Sequence, residues 1–282
     1  MNGWRNKVRE ATPWYQDLCE YYNVTPDEVF KLSERKKGRK PSFPGSKTCE
    51  PVSGKTWEEL WHDKPRETLA QKMDFYKDIG AWQSFRQCNY RKEFPYHIFY
   101  NNFCSPGSSI LEYGAGVCPM VNCLIDQAGD NHPFKFTMVE VPSEHFEFAK
   151  WRLQKKAPKT EFNFIEVTPD MPIPKFTRNF DFVCIMDVLE HLPNPYEVIK
   201  NIYNHLNDHA VIVETWVHQG DDGPGEADLP EAEAEREITT KFINDHFNMI
   251  GGDGTIRIHQ KKKVVQVNDA EKFEHVDDWL SS

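Results

Sequence analysis

Three groups of residues have the types and the spacing for chemistry. The first is Glu112, Gly114 and Gly116 in ILEYGAGVCPM, residues 110–120. Paired glycines directly after a strand let backbone come close to a ligand, and the side chains around them select its charge. A triphosphate loop needs GxxxxGK[ST], and no Lys or Ser/Thr stands at the required place, so that ligand is excluded. A dinucleotide turn needs GxGxxG, and the third position is Pro119. The carboxylate of Glu112 would repel a pyrophosphate and favours a cationic ligand. The second group is Glu140, 24 residues beyond Gly116, where a carboxylate can accept hydrogen bonds from both ribose hydroxyls. A nicotinamide enzyme also places an acid there, so Glu140 alone does not discriminate. The third is Asp187, Glu190 and His191, spaced D-x-x-E-H. On a helical turn, positions i, i+3 and i+4 share a face, so two carboxylates and an imidazole can converge on one cation, with His218 as a fourth ligand. Imidazole titrates near neutral pH, which makes His191 and His218 the candidate proton acceptors.

These residues must be positioned by the elements between them. Residues 108–262 alternate short β-branched runs with helical stretches, the pattern of a parallel sheet with crossover helices. SSILEY, FKFTMVEV, EFNFIEV, FDFVCIM and HAVIVETWV read as five strands. Helices are expected over Met120–Gln127, after a Ser143 cap to about Lys155, from Asn194-Pro195 to near Leu206, and over Pro230–Asp245. FNMIGGDGTIRIHQ closes the domain as an antiparallel hairpin. Glu112 and Glu140 then stand at the ends of the first two strands, and Asp187 follows the fourth. Trp216 and the acidic loop after the fifth strand belong at the same rim, because ligands of open α/β sheets bind at the strands' carboxyl ends.

The chain has 282 residues, seven Cys and a formal net charge of −10. That charge disfavours broad binding to nucleic acid or to an anionic membrane and favours a small-molecule partner. The cysteines form no CxxC pair, and they read as reduced, buried thiols rather than a disulfide or zinc framework. No apolar run reaches the ~20 residues of a membrane span, and the start lacks a signal-peptide core, so a cytoplasmic protein is expected. Residues 1–103 read as an N-terminal helical cap, rich in aromatics from Phe75 to Tyr100, with a mobile basic loop at about 33–56. Residues 104–265 form the main domain and 266–282 an acidic tail.

LEYGAGVCP resembles motif I of the class I S-adenosylmethionine-dependent methyltransferases, and the likeness extends over residues 108 to about 262. It implies a Rossmann-like seven-stranded, mostly parallel α/β sheet with helices on both faces and an N-terminal helical extension. It also implies S-adenosyl-L-methionine as cofactor. Gly114 and Gly116 would meet the adenosyl and methionyl parts, Glu112 would help hold the methionine ammonium, and Cys118 takes the place of the family's third glycine. Glu140 and Ala149 fit the family's acid-then-helix pattern, Asp170 would contact the adenine, and Asp187 would border the cofactor. FDFVCIMDVLEHL is similar to the fourth-strand region of ubiquinone-biosynthesis O-methyltransferases. Enzymes of that kind ligate a divalent metal such as Mg²⁺ through E-x-x-E-H, which here implies Asp187, Glu190 and His191. The expected activity is in-line methyl transfer to a small or medium-sized O- or N-nucleophile. The other readings are a non-catalytic partner subunit of the same fold and a NAD-dependent oxidoreductase.

Overall fold

The computed structural model describes residues 13–26, 61–79, 84, 87–88, 96–216, 228–252 and 256–263. The basic loop, the acidic tail and His218 lie outside them. Seven strands form one sheet: β1 (Ser109–Tyr113), β2 (Lys135–Glu140), β3 (Phe162–Glu166), β4 (Phe180–Met186), β5 (Leu206–Thr215), β6 (Phe247–Gly252) and β7 (Arg257–Lys261). Their order is β3-β2-β1-β4-β5-β7-β6, parallel except for the β5–β7 and β6–β7 pairs. The chain moves outward from β1 to β3, then returns to the other side of β1 with β4. The carboxyl ends of β1 and β4 are therefore the point where the winding reverses, which is where ligands of open α/β sheets bind.

The helices among the described residues are α1 (Pro13–Tyr22), α2 (Leu69–Ile79), α3 (His97–Phe103), α4 (Pro119–Ala128), α5 (Glu144–Lys156), α6 (Pro195–Asn204) and α7 (Pro230–His246). The central strands are apolar on both faces, as a sheet covered on both sides requires. Leu111, Tyr113, Val183, Ile185 and Ile212 pack with α2, α6 and α7. Ile110, Phe136, Met138, Phe182 and Val213 pack with α3, α4 and α5. A third cluster seats Trp14, Tyr15, Leu18 and Tyr22 of α1 against Phe148 of α5 and Val117 of the glycine turn. The N-terminal layer is thus in contact with the part of the chain expected to bind a ligand. No helix among the described residues is long and apolar enough to cross a membrane.

Two local features differ from the sequence reading. Ser143 takes the N-cap backbone position of α5, but its hydroxyl pairs with His145 Nε2 at 3.1 Å and makes no cap bond. Strand β5 begins at Leu206 rather than His209, because Leu206 pairs with Phe180 before the chain bulges through a left-handed His209 (φ 62°) and resumes pairing at Val211. Among the described cysteines, all are free; Cys88, Cys118 and Cys184 are buried, while Cys19, Cys104 and Cys123 are partly exposed.

The N-terminal layer is tied to the sheet by a buried charge. Arg152 of α5 is fully buried and donates to Asp17 Oδ2 (2.9 Å), Asn122 Oδ1 (2.6 Å) and Asp126 Oδ1 (2.6 Å), with its guanidinium 4.1 Å from the Trp14 ring centroid. One planar fork therefore joins α1, α4 and α5. Removing one partner of a buried ion pair leaves an uncompensated charge, at a cost of about 3–5 kcal/mol. Arg152→Met is expected to lower unfolding stability by that order in chemical denaturation, and Arg152→Lys to recover less than half, because an ammonium cannot reproduce the three-way fork. A midpoint unchanged in Arg152→Met would disprove this role.

Candidate functional site

The turn after β1 is built from left-handed residues: Gly114 (φ 64°), Gly116 (φ 54°) and Cys118 (φ 51°). Glycine adopts this region freely, whereas a residue with a Cβ incurs roughly 1–2 kcal/mol. Cys118, at the family's third glycine position, adopts it nonetheless as the N-cap of α4 and is fully buried. A Cβ on Gly114 would collide with the Val188 side chain, and one on Gly116 with the Gln87 amide. The β1 turn, the segment after β4 and the N-terminal layer therefore meet at these two glycines.

From Ala115 to Asn122 every backbone amide has a partner. Ala115 donates to the Val139 carbonyl (3.0 Å), Cys118 to the Ala115 carbonyl (2.6 Å) and Asn122 to the Cys118 carbonyl (2.9 Å). Gly116 donates to Glu140 Oε2 (2.6 Å) and Val117 to Gln87 Oε1 (3.0 Å). Met120 and Val121 donate to Glu112 Oε1 (2.9 Å) and Oε2 (3.2 Å). Pro119 has no amide hydrogen. The donors at the start of α4 that would grip a pyrophosphate are already occupied by a buried carboxylate. The arrangement is built against an anion and lined by two acids.

Glu112 is 4% exposed and caps α4 through both oxygens, offsetting the positive end of the helix dipole. The sequence reading assigned it to a ligand ammonium, and its first structural task is to hold the turn. Glu140 ends β2 and also receives the Val141 amide (2.8 Å). Burial pushes its carboxyl up to about 7, against the opposing effect of the two amide bonds. Tyr113, which sequence reasoning passed over, has a buried hydroxyl without a hydrogen-bond partner, and its phenol is pushed up by burial and then by the charge of Glu140. An aromatic residue directly before the first glycine was the available signal. Asp170 is exposed in the tight turn closed by Thr168 and Met171, whose backbones bond each other at 3.0 and 3.3 Å.

The D-x-x-E-H residues do not share a helical face. Asp187 is left-handed (φ 55°) and stands outside the single 3-10 turn Leu189–His191. Its amide and carboxylate both engage the Thr215 hydroxyl, at 2.6 and 2.9 Å, which ties the end of β4 to the end of β5. His191 Nδ1 lies 3.8 Å from Asp228 Oδ1. Glu190 is 6% exposed, and its Oε2 has no hydrogen-bond partner. Burial, then the charges of Asp187 and Asp228, push its carboxyl up to about 8. Among the described residues no three His, Cys, Asp or Glu side chains form a group that could hold a metal ion. The spacing argument assumed a regular helix, and the left-handed residue directly after the strand removes that premise.

Tyr76 of α2, counted in the sequence only among core aromatics, reaches the same region. Its phenol is held well above the usual range by burial and by the charges of Glu140, Glu190 and Asp228. Trp216 follows β5 and is buried, with the Arg236 guanidinium 4.5 Å from its ring centroid. The elements thus bring Glu112, Gly114, Gly116 and Glu140 together, set Asp187, Glu190 and His191 across the switch point, and place Asp170 on an outer turn.

No curated protein matches this chain in sequence. Among solved structures, it resembles StiE O-MT residues 942–1257 at 13% identity and a TM-score of 0.42, covering 55% of this chain and 50% of that one. It also resembles N-methyltransferase NodS from Bradyrhizobium japonicum WM9, at 12% identity over 63% of this chain and 99% of that one, with a TM-score of 0.44. Magnesium protoporphyrin IX methyltransferase (ChlM) from Synechocystis PCC 6803, with bound SAH, is similar at 12% identity over 73% and 93%, with a TM-score of 0.44. The family profile described as a methyltransferase domain matches residues 82–254, which is more than half of the chain and includes the glycine turn, Glu140 and the segment after β4. That match identifies the chain as a member of the class I S-adenosylmethionine-dependent methyltransferase family.

Proposed function

We propose that the crevice between the β1 turn and the segment after β4 binds S-adenosylmethionine and directs its methyl group to an O- or N-nucleophile of a small or medium-sized acceptor. The observation that carries this reading is the amide pattern of the turn. A site for a phosphorylated nucleotide presents free amides, whereas here two carboxylates occupy them and leave an electronegative rim suited to a sulfonium nucleoside. The residues present fit that group: two glycines without a Cβ, the Glu140 carboxylate at the strand end and the unpartnered Tyr113 hydroxyl beside it. When bound, S-adenosylmethionine supplies a methyl group already activated on positive sulfur.

In this reading Glu140 accepts the ribose hydroxyls, Glu112 holds the turn that approaches the methionyl end, and Asp170 faces the adenine amino group. Asp187, locked by Thr215, stands at the crevice wall. His191, opposite Asp228, takes the acceptor's proton where it has one, with His218 the second candidate. The remaining task of the protein is alignment, which can contribute several kcal/mol when the reacting atoms are held in line. No step here runs through a metal, because Asp187, Glu190 and His191 do not converge on a common point.

The two acids should differ in pH dependence. Glu140→Gln is expected to weaken S-adenosylhomocysteine binding at least tenfold in calorimetry, in line with about 1.5–3 kcal/mol for a hydrogen bond to a charged group, and to lower stability as well, because its amide NH₂ would face one of the two turn amides that Glu140 accepts. The wild-type affinity should fall about tenfold between pH 8 and pH 6. With its carboxyl at about 7, Glu140 gains a proton as pH falls through that value and loses its capacity to accept two hydroxyls. The glutamine variant should show no such dependence; an equal slope in both proteins would remove Glu140 from the ribose. Glu112→Gln sets an amide NH₂ against one helix N–H, so stability should drop by about 1–3 kcal/mol together with affinity. An unchanged melting point in that variant would contradict its turn-holding role.

A further inference from the structure

Beside the switch point stands a group of side chains from four segments of the chain. Asp187 follows β4 and is held by Thr215. Trp216, the next residue after Thr215, belongs to the same buried cluster as Val188, Leu189 and Leu229. Glu190 is joined through its carbonyl to the Leu229 amide (2.8 Å), which places Asp228 beside it at the start of α7. Tyr76 of α2 lies within electrostatic reach of Glu190 and Asp228. The nearby cation among the described residues, Arg236, is already engaged: its Nε donates to Glu233 Oε2 at 2.7 Å, and its guanidinium lies over Trp216.

Two buried polar atoms here have no partner in the protein. Glu190 is 6% exposed with a bare Oε2, and Trp216 is 5% exposed with a bare Nε1. Buried polar groups are nearly always hydrogen-bonded, and leaving one bare costs on the order of 1–3 kcal/mol, so a pair of them in one wall marks where a ligand's polar groups belong. The carboxyl calls for a donor and the indole N–H for an acceptor. Asp187 and Asp228 act electrostatically on Glu190, which adds a preference for positive charge and a penalty for a carboxylate or phosphate.

We infer that the methyl acceptor is a small or medium-sized amine, held as its ammonium by Glu190 in the negative field of Asp187 and Asp228, with a neutral hydroxyl or carbonyl oxygen that meets Trp216 Nε1. This rests on the function proposed above and narrows it from O- or N-nucleophiles to nitrogen. For transfer, the ammonium passes a proton to His191, and the freed lone pair forms the new N–C bond. The C–S bond breaks with its electron pair left on sulfur, and the product departs as a methylammonium ion.

The test uses the full chain and two size-matched series in calorimetry: ethanolamine, ethylene glycol and glycolate, then tyramine, tyrosol and 4-hydroxyphenylacetate. With S-adenosylhomocysteine bound, the amine of at least one series should bind at least tenfold more tightly than its alcohol and carboxylate counterparts. Glu190→Gln, which keeps shape and removes the carboxylate that a bound ammonium draws into its ionised form, should reduce amine affinity at least tenfold while S-adenosylhomocysteine affinity stays within about twofold. Asp228→Asn, at a less buried position, should act in the same direction. An alcohol or carboxylate bound as tightly as the amine in both series, unchanged amine affinity in both variants, or Mg²⁺ displacing the amine would overturn the inference. If S-adenosylhomocysteine itself is not taken up, the function proposed above falls, and the same series on the bare chain decides the amine site separately.

Discussion

The site depends on how one sharp turn satisfies its amides. Between β1 and α4 the chain passes through three left-handed residues and enters a helix without a serine, threonine, asparagine or aspartate cap. The amides this exposes must find acceptors inside the protein, because the turn is buried under α1, Gln87 and Cys88. Glu112 and Glu140 supply them from the ends of adjacent parallel strands. The same carboxylates that hold the turn give the crevice its negative sign, so backbone satisfaction and ligand selection come from one set of groups.

Around this turn the architecture supplies rigidity from two sides. The parallel pairing of β1 with β2 and β4 aligns Glu112 with Met138 and Cys184, which places the three strand ends in one row. The Thr215 hydroxyl locks Asp187 across the β4–β5 pair, and the missing Cβ of Gly114 is filled by Val188. On the outer side, the Arg152 fork fastens α1 to α4 and α5. Its charge is compensated by geometry that only a guanidinium provides, which makes the N-terminal layer a structural part of the methyltransferase domain.

Much of this was legible in the residues. The alternation of strands and helices gave the sheet and its class, and the acid two positions before the first glycine and the second acid 24 residues after Gly116 gave the groups that meet at the glycine turn. The D-x-x-E-H reading failed for a definable reason: side-chain convergence was inferred from helical spacing, and the backbone there leaves the helical region at Asp187. Ser143 shows the same limit, since a good capping residue found a competing partner in His145. Tyr76 carried no pattern that set it apart from other core aromatics, and Tyr113 only its place before the first glycine; the proximity of distant segments puts both within the influence of the carboxylates.

What the sequence determined by itself were properties set by neighbours in the chain: periodicity, turns, strand ends and the acid-flanked glycines. The tertiary structure decided which long-range partner each polar group takes. It turned Glu112 onto the helix start, paired Asp187 with Thr215, left Glu190 Oε2 and Trp216 Nε1 without hydrogen-bond partners, and brought Tyr76 within electrostatic reach of Glu140 and Glu190. The division follows from the physics. Backbone preference acts over a few residues, whereas the partner and charge state of a buried polar group depend on whatever the fold packs against it, at any distance along the chain.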